Sequence, residues 1–150
     1  MSVSLEGLLA EASELAQAAG SMTLDWFRRS SLAVESKMDG SEVTEADRVA
    51  ERFIRDELKS RHPSHLVVGE EEGGSFESGT LTWIIDPIDG TRGFVRGVPL
   101  YATLLAVVDD SGPLVGVIYV PALNSTVAAA QGMGCWHDGQ RCAVSQTKEL

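Results

Sequence analysis

The hydrophobic period of the chain changes once, at His62-Pro63, and this change limits the fold more than any other feature of the sequence. Before it, apolar residues recur every three or four positions. Leu8, Leu9, Ala12, Leu15, Ala16, Ala19, Met22 and Trp26 form one stripe of a long amphipathic helix that begins at Leu5. Ala46, Val49, Ala50, Phe53, Ile54 and Leu58 form the stripe of a second helix over about 45–59. Thr44 stands at its N-cap with Asp47 three residues later, the spacing of a capping box, and His62-Pro63 ends it because the residue before a proline is pushed out of the helical region. Between the helices, residues 36–41 have the composition of a loop.

After His62-Pro63 the apolar runs are short and often β-branched. Segments 66–68, 81–85, 101–108, 114–120 and 126–130, separated by Gly, Pro, Asp and Ser, read as strands. His137-Asp138-Gly139-Gln140 carries the Asp-Gly dipeptide of a tight hairpin and joins two last short strands. The order predicts an α+β fold, two helices packed on a largely antiparallel sheet. A length of 150 residues with 43% hydrophobic side chains suits one domain, and no repeat, low-complexity tract or internal linker divides it.

Twelve Lys and Arg against 22 Asp and Glu leave a formal net charge of −10. That balance argues against a nucleic-acid polymer or an anionic membrane as partner, since both need a basic footprint, and it suits cations instead. With neither a membrane-length apolar run nor the basic, then apolar, start of a secretory signal, a cytoplasmic location is expected. Cys135 and Cys142 are too few for a disulfide framework and, with the distant His62, His65 and His137, fit no zinc spacing; they read as reduced, ordinary thiols.

The chemistry concentrates in Asp86-Pro87-Ile88-Asp89-Gly90-Thr91. Strand 81–85 runs straight into Asp86, so a carboxylate stands at the end of a buried strand, where burial is costly without a cation or donors. Pro87 is expected to fix a turn. Asp86, the Ile88 carbonyl and Asp89 can then converge on a hard cation; magnesium prefers oxygen ligands at about 2.0–2.1 Å and keeps several waters. Gly90 and Thr91 follow, where backbone N–H groups can face a phosphate, particularly if a helix begins there. Gly69-Glu70-Glu71 follows strand 66–68, and adjacent strand ends in one sheet would bring Glu70 beside Asp86 as a third ligand. Taken alone, 70–72 would be a solvated acidic loop and Asp47 a helix-capping carboxylate.

Taken together, Lys37-x-Asp39-Gly40-Ser41-x-Val43-Thr44-x-Ala46-Asp47, Gly69-Glu70-Glu71 and Trp83-Ile-Ile-Asp86-Pro-Ile-Asp89-Gly-Thr91 resemble the inositol monophosphatase family in motif, order and spacing over about 37–145, and the first helix is compatible with it. The stretch Phe94-Val95-Arg96-Gly97-Val98-Pro99-Leu100-Tyr101-Ala102-Thr103-Leu104 is similar to the branch acting as histidinol-phosphate phosphatase in histidine biosynthesis. Gly93-Phe94-Val95-Arg96-Gly97 also resembles the nucleotide 3′,5′-bisphosphate phosphatases of the same superfamily.

The resemblance implies a magnesium-dependent phosphomonoesterase using two or three ions, with histidinol phosphate the expected substrate. Inositol phosphates and nucleotide 3′,5′-bisphosphates are the alternatives. It implies that Glu70, Asp86, the Ile88 carbonyl and Asp89 bind the metal, and that Thr91 with Asp47 orients and activates the attacking water. By the same resemblance Asp89, Gly90 and Thr91 contact the substrate phosphate, and Lys37 and Asp39 belong to a loop closing near an additional metal. Family chains are much longer, with a second α/β domain carrying a Trp-Asp-x-Ala-Ala-Gly motif. Nothing like that motif follows Ser145, so residues 1–150 are expected to be the N-terminal metal- and phosphate-binding domain with the C-terminal domain absent. A homodimer and a C-terminal half supplied in trans are both open as partners, as is a non-catalytic role for such a fragment.

Overall fold

Ser4 accepts the Gly7 amide at its side-chain oxygen (3.1 Å) and so starts helix α1 (Leu5–Thr23). The computed structural model describes residues 4–149. The apolar stripe continues to Trp26, but the helix stops at Thr23, whose hydroxyl is within hydrogen-bond distance of the Gly20 carbonyl (2.6 Å) and the Tyr101 hydroxyl (3.0 Å). Trp26 instead packs on a small second core of Ala46, Ile88, Phe94 and Tyr101.

A hairpin that the sequence reading lacked follows, β1 (Val34–Ser36) paired antiparallel with β2 (Glu42–Thr44), the expected 36–41 loop being its turn. Its strands are three residues each and β1 is fully exposed, so no apolar alternation marks it in the sequence. Helix α2 (Glu45–Arg61) begins as expected: Thr44 donates its amide to Asp47 Oδ2 at 2.8 Å and its hydroxyl to the same oxygen at 2.6 Å. It runs two residues past Lys59, where Arg61 is held by Glu57, Glu14 and Glu11.

Seven strands form the main sheet in sequence order: β3 (Leu66–Gly69), β4 (Thr82–Asp89), β5 (Ala102–Asp109), β6 (Gly112–Val120), β7 (Ser125–Ala130), β8 (Gly134–His137) and β9 (Gln140–Cys142). Strand β3 is parallel to β4, and every other pair is antiparallel. Helices α1 and α2 cover one face, with Leu8, Leu15, Ile54 and Leu58 against Trp83, Ile85, Leu105 and Val117. Each such fully buried large side chain contributes about 1.5–3 kcal/mol of burial. The other face carries a shallow apolar groove of about 430 Å³ lined by Ile84, Leu104, Ile118 and Val127, with Asp86 at its edge.

Two expectations need correction. Strand β4 does not end before Asp86 but runs through Asp89, and Pro87 sits in a register shift between Asp86 and Asp89 rather than in a turn. Proline lacks an N–H for the ladder, so an irregularity tolerates it, particularly here, where β3 has already ended opposite Ile85 and Thr103 donates its hydroxyl to the Pro87 carbonyl at 2.8 Å. The chain turns instead at Gly90, whose φ of +88° favours glycine. The count of two helices also falls short. A third, α3 (Thr91–Val95), follows Gly90, and five residues are too few to show a helical period.

Candidate active site

Parallel pairing of β3 with β4 builds the site. The Glu70 amide donates to the Ile85 carbonyl at 3.1 Å, which places Glu70 beside Asp86 across the two strand ends. A concave pocket of about 380 Å³ opens there, lined by Glu70, Asp86, Ile88, Asp89, Gly90 and Thr91, with Ser41, Glu42 and Arg92 at its remaining sides. The register shift after Asp86 lets Asp86 and Asp89 both reach this pocket from one strand, which regular alternation would not allow for residues three apart.

Asp86 is electrostatically frustrated. Its Oδ1 is buried without a hydrogen-bond partner. Burial, a hydrogen bond to Glu70 and the charges of Glu70, Asp89 and Asp47 push its carboxyl up to about 8. A buried acceptor with no donor, surrounded by carboxylates, has the chemistry of a site that a hard divalent cation would satisfy. Among the described residues, no three His, Cys, Asp or Glu side chains already converge as a metal cage. Lys37 sits at the cluster's edge, its ammonium binding Glu70 at 3.3 Å and Glu71 at 2.7 Å. The donor set fits magnesium in type, with oxygens from Glu70, Asp86, Asp89 and the Ile88 carbonyl.

Asp47 adjoins this pocket from α2. The Thr91 hydroxyl lies 3.0 Å from Asp47 Oδ1 and 3.0 Å from the Ile88 carbonyl. Burial raises the Asp47 pKa, against the hydrogen bonds from Thr44 and Thr91 that lower it. The Asp47 carboxylate therefore both caps α2 and faces Thr91.

Of the residues singled out in the sequence, Asp47, Glu70, Asp86, Ile88, Asp89, Gly90 and Thr91 come together. Lys37 reaches the cluster's edge through Glu70 and Glu71. Asp39 does not line the pocket; its Oδ1 accepts the amide and hydroxyl of Ser41 at 2.9 and 2.6 Å, and these bonds lower its pKa. Sequence reasoning missed Ser41, Glu42 and Arg92. Glu42 is held by Arg96 at 3.2 Å, an interaction between residues 54 apart that no local pattern announces.

A family model described as the inositol monophosphatase family matches residues 4–150. Histidinol-phosphatase of Chlorobaculum parvum is 44% identical over 136 residues, covering 91% of this chain and 52% of that protein. The fructose-1,6-bisphosphatase/inositol-1-monophosphatase of Thermotoga maritima is 44% identical over 108 residues, covering 72% of this chain and 41% of the relative. A solved Thermotoga maritima IMPase superposes with a TM-score of 0.87 at 38% identity, over 95% of this chain and 56% of that one. The chain spans about half the length of the curated relatives it matches. No helix among the described residues is long and apolar enough to cross a membrane.

Proposed function

Because the chain belongs to the inositol monophosphatase family, we propose that it carries the metal and phosphate site of a cytoplasmic, magnesium-dependent phosphomonoesterase that converts histidinol phosphate to histidinol. The observation that carries this reading is the unpartnered Oδ1 of Asp86 among the carboxylates of Glu70, Asp89 and Asp47. The substrate preference rests on similarity to histidinol-phosphatases.

Glu70, Asp86, the Ile88 carbonyl and Asp89 would hold magnesium, as two or three ions. When bound, the metal supplies positive charge opposite the phosphoryl oxygens and makes water more acidic. Asp47 keeps Thr91 oriented: with its hydroxyl hydrogen on Asp47 Oδ1, Thr91 turns an oxygen lone pair to the pocket and accepts a hydrogen bond from the attacking water. The water proton passes to Thr91 Oγ1 as the Thr91 proton passes to Asp47, whose raised pKa suits it to receive one. Gly90 and Thr91 present backbone amides to the phosphate at the start of α3. Lys37 and Asp39 belong to the loop between β1 and β2, which in this reading would close near an additional metal.

The test is phosphate release from histidinol phosphate, inositol 1-phosphate and adenosine 3′,5′-bisphosphate at saturating magnesium. The 150-residue chain is assayed alone and with the C-terminal half of the Chlorobaculum parvum relative added in trans, with Asp86→Asn as control. Preference for another substrate would remove the histidinol phosphate assignment, and release that survives Asp86→Asn would remove the site.

A second reading, a non-catalytic partner subunit, draws on the apolar groove of the open sheet face, where Ile118 is 46% exposed. Because Asp86 edges that groove, whatever covers it also completes the surroundings of Asp86. Binding of the added half without any gain in turnover would favour this second reading.

A further inference from the structure

One turn beyond Asp47 on α2, a second carboxylate is buried with no part in the chemistry above. Glu51 is fully buried. Its Oε2 accepts the Glu71 amide at 2.8 Å and its Oε1 accepts the Glu72 amide at 3.0 Å. Arg55 donates from Nε to Glu51 Oε1 at 2.8 Å and from Nη2 to the Gly73 carbonyl. Gly69 and Gly73 close the same loop by exchanging backbone hydrogen bonds of 2.9 and 3.0 Å. The loop bound in this way begins with Glu70.

The fit leaves no room for an alternative side chain. A Cβ on Gly69 would lie 2.0 Å from Glu51 Oε1 and 2.3 Å from its Cδ, so the carboxylate occupies the space that glycine leaves open. Burying an ion pair is a poor route to stability, since desolvating both charges consumes most of their attraction. Its geometric effect is specific: two charge-assisted bonds fix the two amides that follow Glu70, while the Ile85 carbonyl fixes the amide of Glu70 itself.

We propose that Glu51, seated against Gly69 and backed by Arg55, is a positioning residue that aims Glu70 at the Asp86 pocket. Helix α2 thus serves the site from one face, through Asp47 to Thr91 and through Glu51 to the loop carrying Glu70. The inference rests on the metal-site reading above.

The probe is Mn²⁺ titrated into the 150-residue chain, with affinity taken from paramagnetic broadening of backbone amide resonances around Glu70 and Asp86. Partners that orient a metal ligand change affinity by roughly 10- to 100-fold. Glu51→Gln and Gly69→Ala are each expected to weaken Mn²⁺ binding by at least about 10-fold on that scale, and Glu51→Gln to move the Glu71 and Glu72 amide proton resonances. Ile54→Val, which loosens the same helix without touching the loop, should leave the affinity unchanged. If Ile54→Val weakens binding equally, or if folded Glu51→Gln binds Mn²⁺ like the parent, the proposal is overturned. Should Glu51→Gln fail to fold, Gly69→Ala decides by the same criterion. Asp86→Asn separates the two levels: if it leaves Mn²⁺ binding intact, the metal-site reading falls and the positioning role with it.

Discussion

The Thr91 hydroxyl stands 3.0 Å from Oδ1 of Asp47, a residue 44 positions earlier, while Oδ2 of the same aspartate closes the capping box with Thr44. One carboxylate therefore starts α2 and fixes a hydroxyl that lines the Asp86 pocket. The capping role and the proposed catalytic role use different oxygens, so neither excludes the other.

Thr91→Ala should separate turnover from metal binding. Removing a group that takes part in proton transfer costs on the order of 100-fold or more in rate, whereas Thr91 contributes no side-chain ligand. The expected result is a loss of that size in kcat with magnesium affinity nearly unchanged. Kinetics alongside a magnesium titration checks it; equal loss of both would mean that Thr91 only shapes the turn after β4.

Asp89→Asn keeps the shape of a proposed ligand and removes its charge. Magnesium affinity should fall, with little change in thermal stability, because Asp89 is exposed at the end of β4. Calorimetric titration of the variant against the parent measures this. An unaltered magnesium requirement would exclude Asp89 as a ligand.

The raised pKa of Asp86 gives a pH dependence with a definite sign. Its ordinary value is 3.8 and burial beside Glu70 lifts it to about 8, so the folded protein favours the protonated form. The stability this contributes is fully present below about pH 4 and is lost as pH rises toward about 8. Metal-free protein should therefore lose melting temperature across that window relative to Asp86→Asn, and magnesium should reverse the loss. Below pH 8, metal binding should release a proton, seen as a buffer-dependent heat of binding. Parallel melting curves for parent and variant would show that Asp86 ionises normally.

Lys37 competes for Glu70. Its ammonium lies 3.3 Å from Glu70 and 2.7 Å from Glu71, and the Lys37–Glu70 pair is partly exposed to solvent. Exposed pairs contribute about 0.2–1 kcal/mol, so Lys37→Gln should tighten metal binding by a factor of roughly 1.5 to 5. Weaker binding instead would mean that Lys37 holds Glu70 in place for the metal.

The 150-residue chain alone is expected to bind divalent metal weakly and to turn over little histidinol phosphate. Two-metal phosphoryl transfer needs cations roughly 3.5–4 Å apart, each with several ligands. The proposed ligands, Glu70, Asp86, the Ile88 carbonyl and Asp89, would be too few to give two cations several each. A misplaced catalytic element can cost on the order of 100-fold. Robust phosphate release that disappears in Asp86→Asn would show that the chain builds a complete site unaided, for example as a homodimer.

The sequence by itself determined the elements whose signals are local. The stripes of α1 and α2, the Thr44-Asp47 cap, the strands after His62-Pro63 and the Asp-Gly hairpin are written in neighbouring residues, and periodicity and turn chemistry suffice to read them. The grouping of Asp86, Asp89, Gly90 and Thr91 is equally local, being one short segment. Tertiary structure decided the rest, because it depends on what lies beside a residue in space. Parallel pairing of β3 with β4 set Glu70 next to Asp86, and the register shift at Pro87 turned Asp86 and Asp89 into the same pocket. The brief, exposed β1–β2 hairpin that brings Glu42 to the rim has no apolar period to betray it. Glu51 shows the limit most plainly: in sequence it is one more acid on an amphipathic helix, and only the space above Gly69 makes it a buried acceptor of two loop amides.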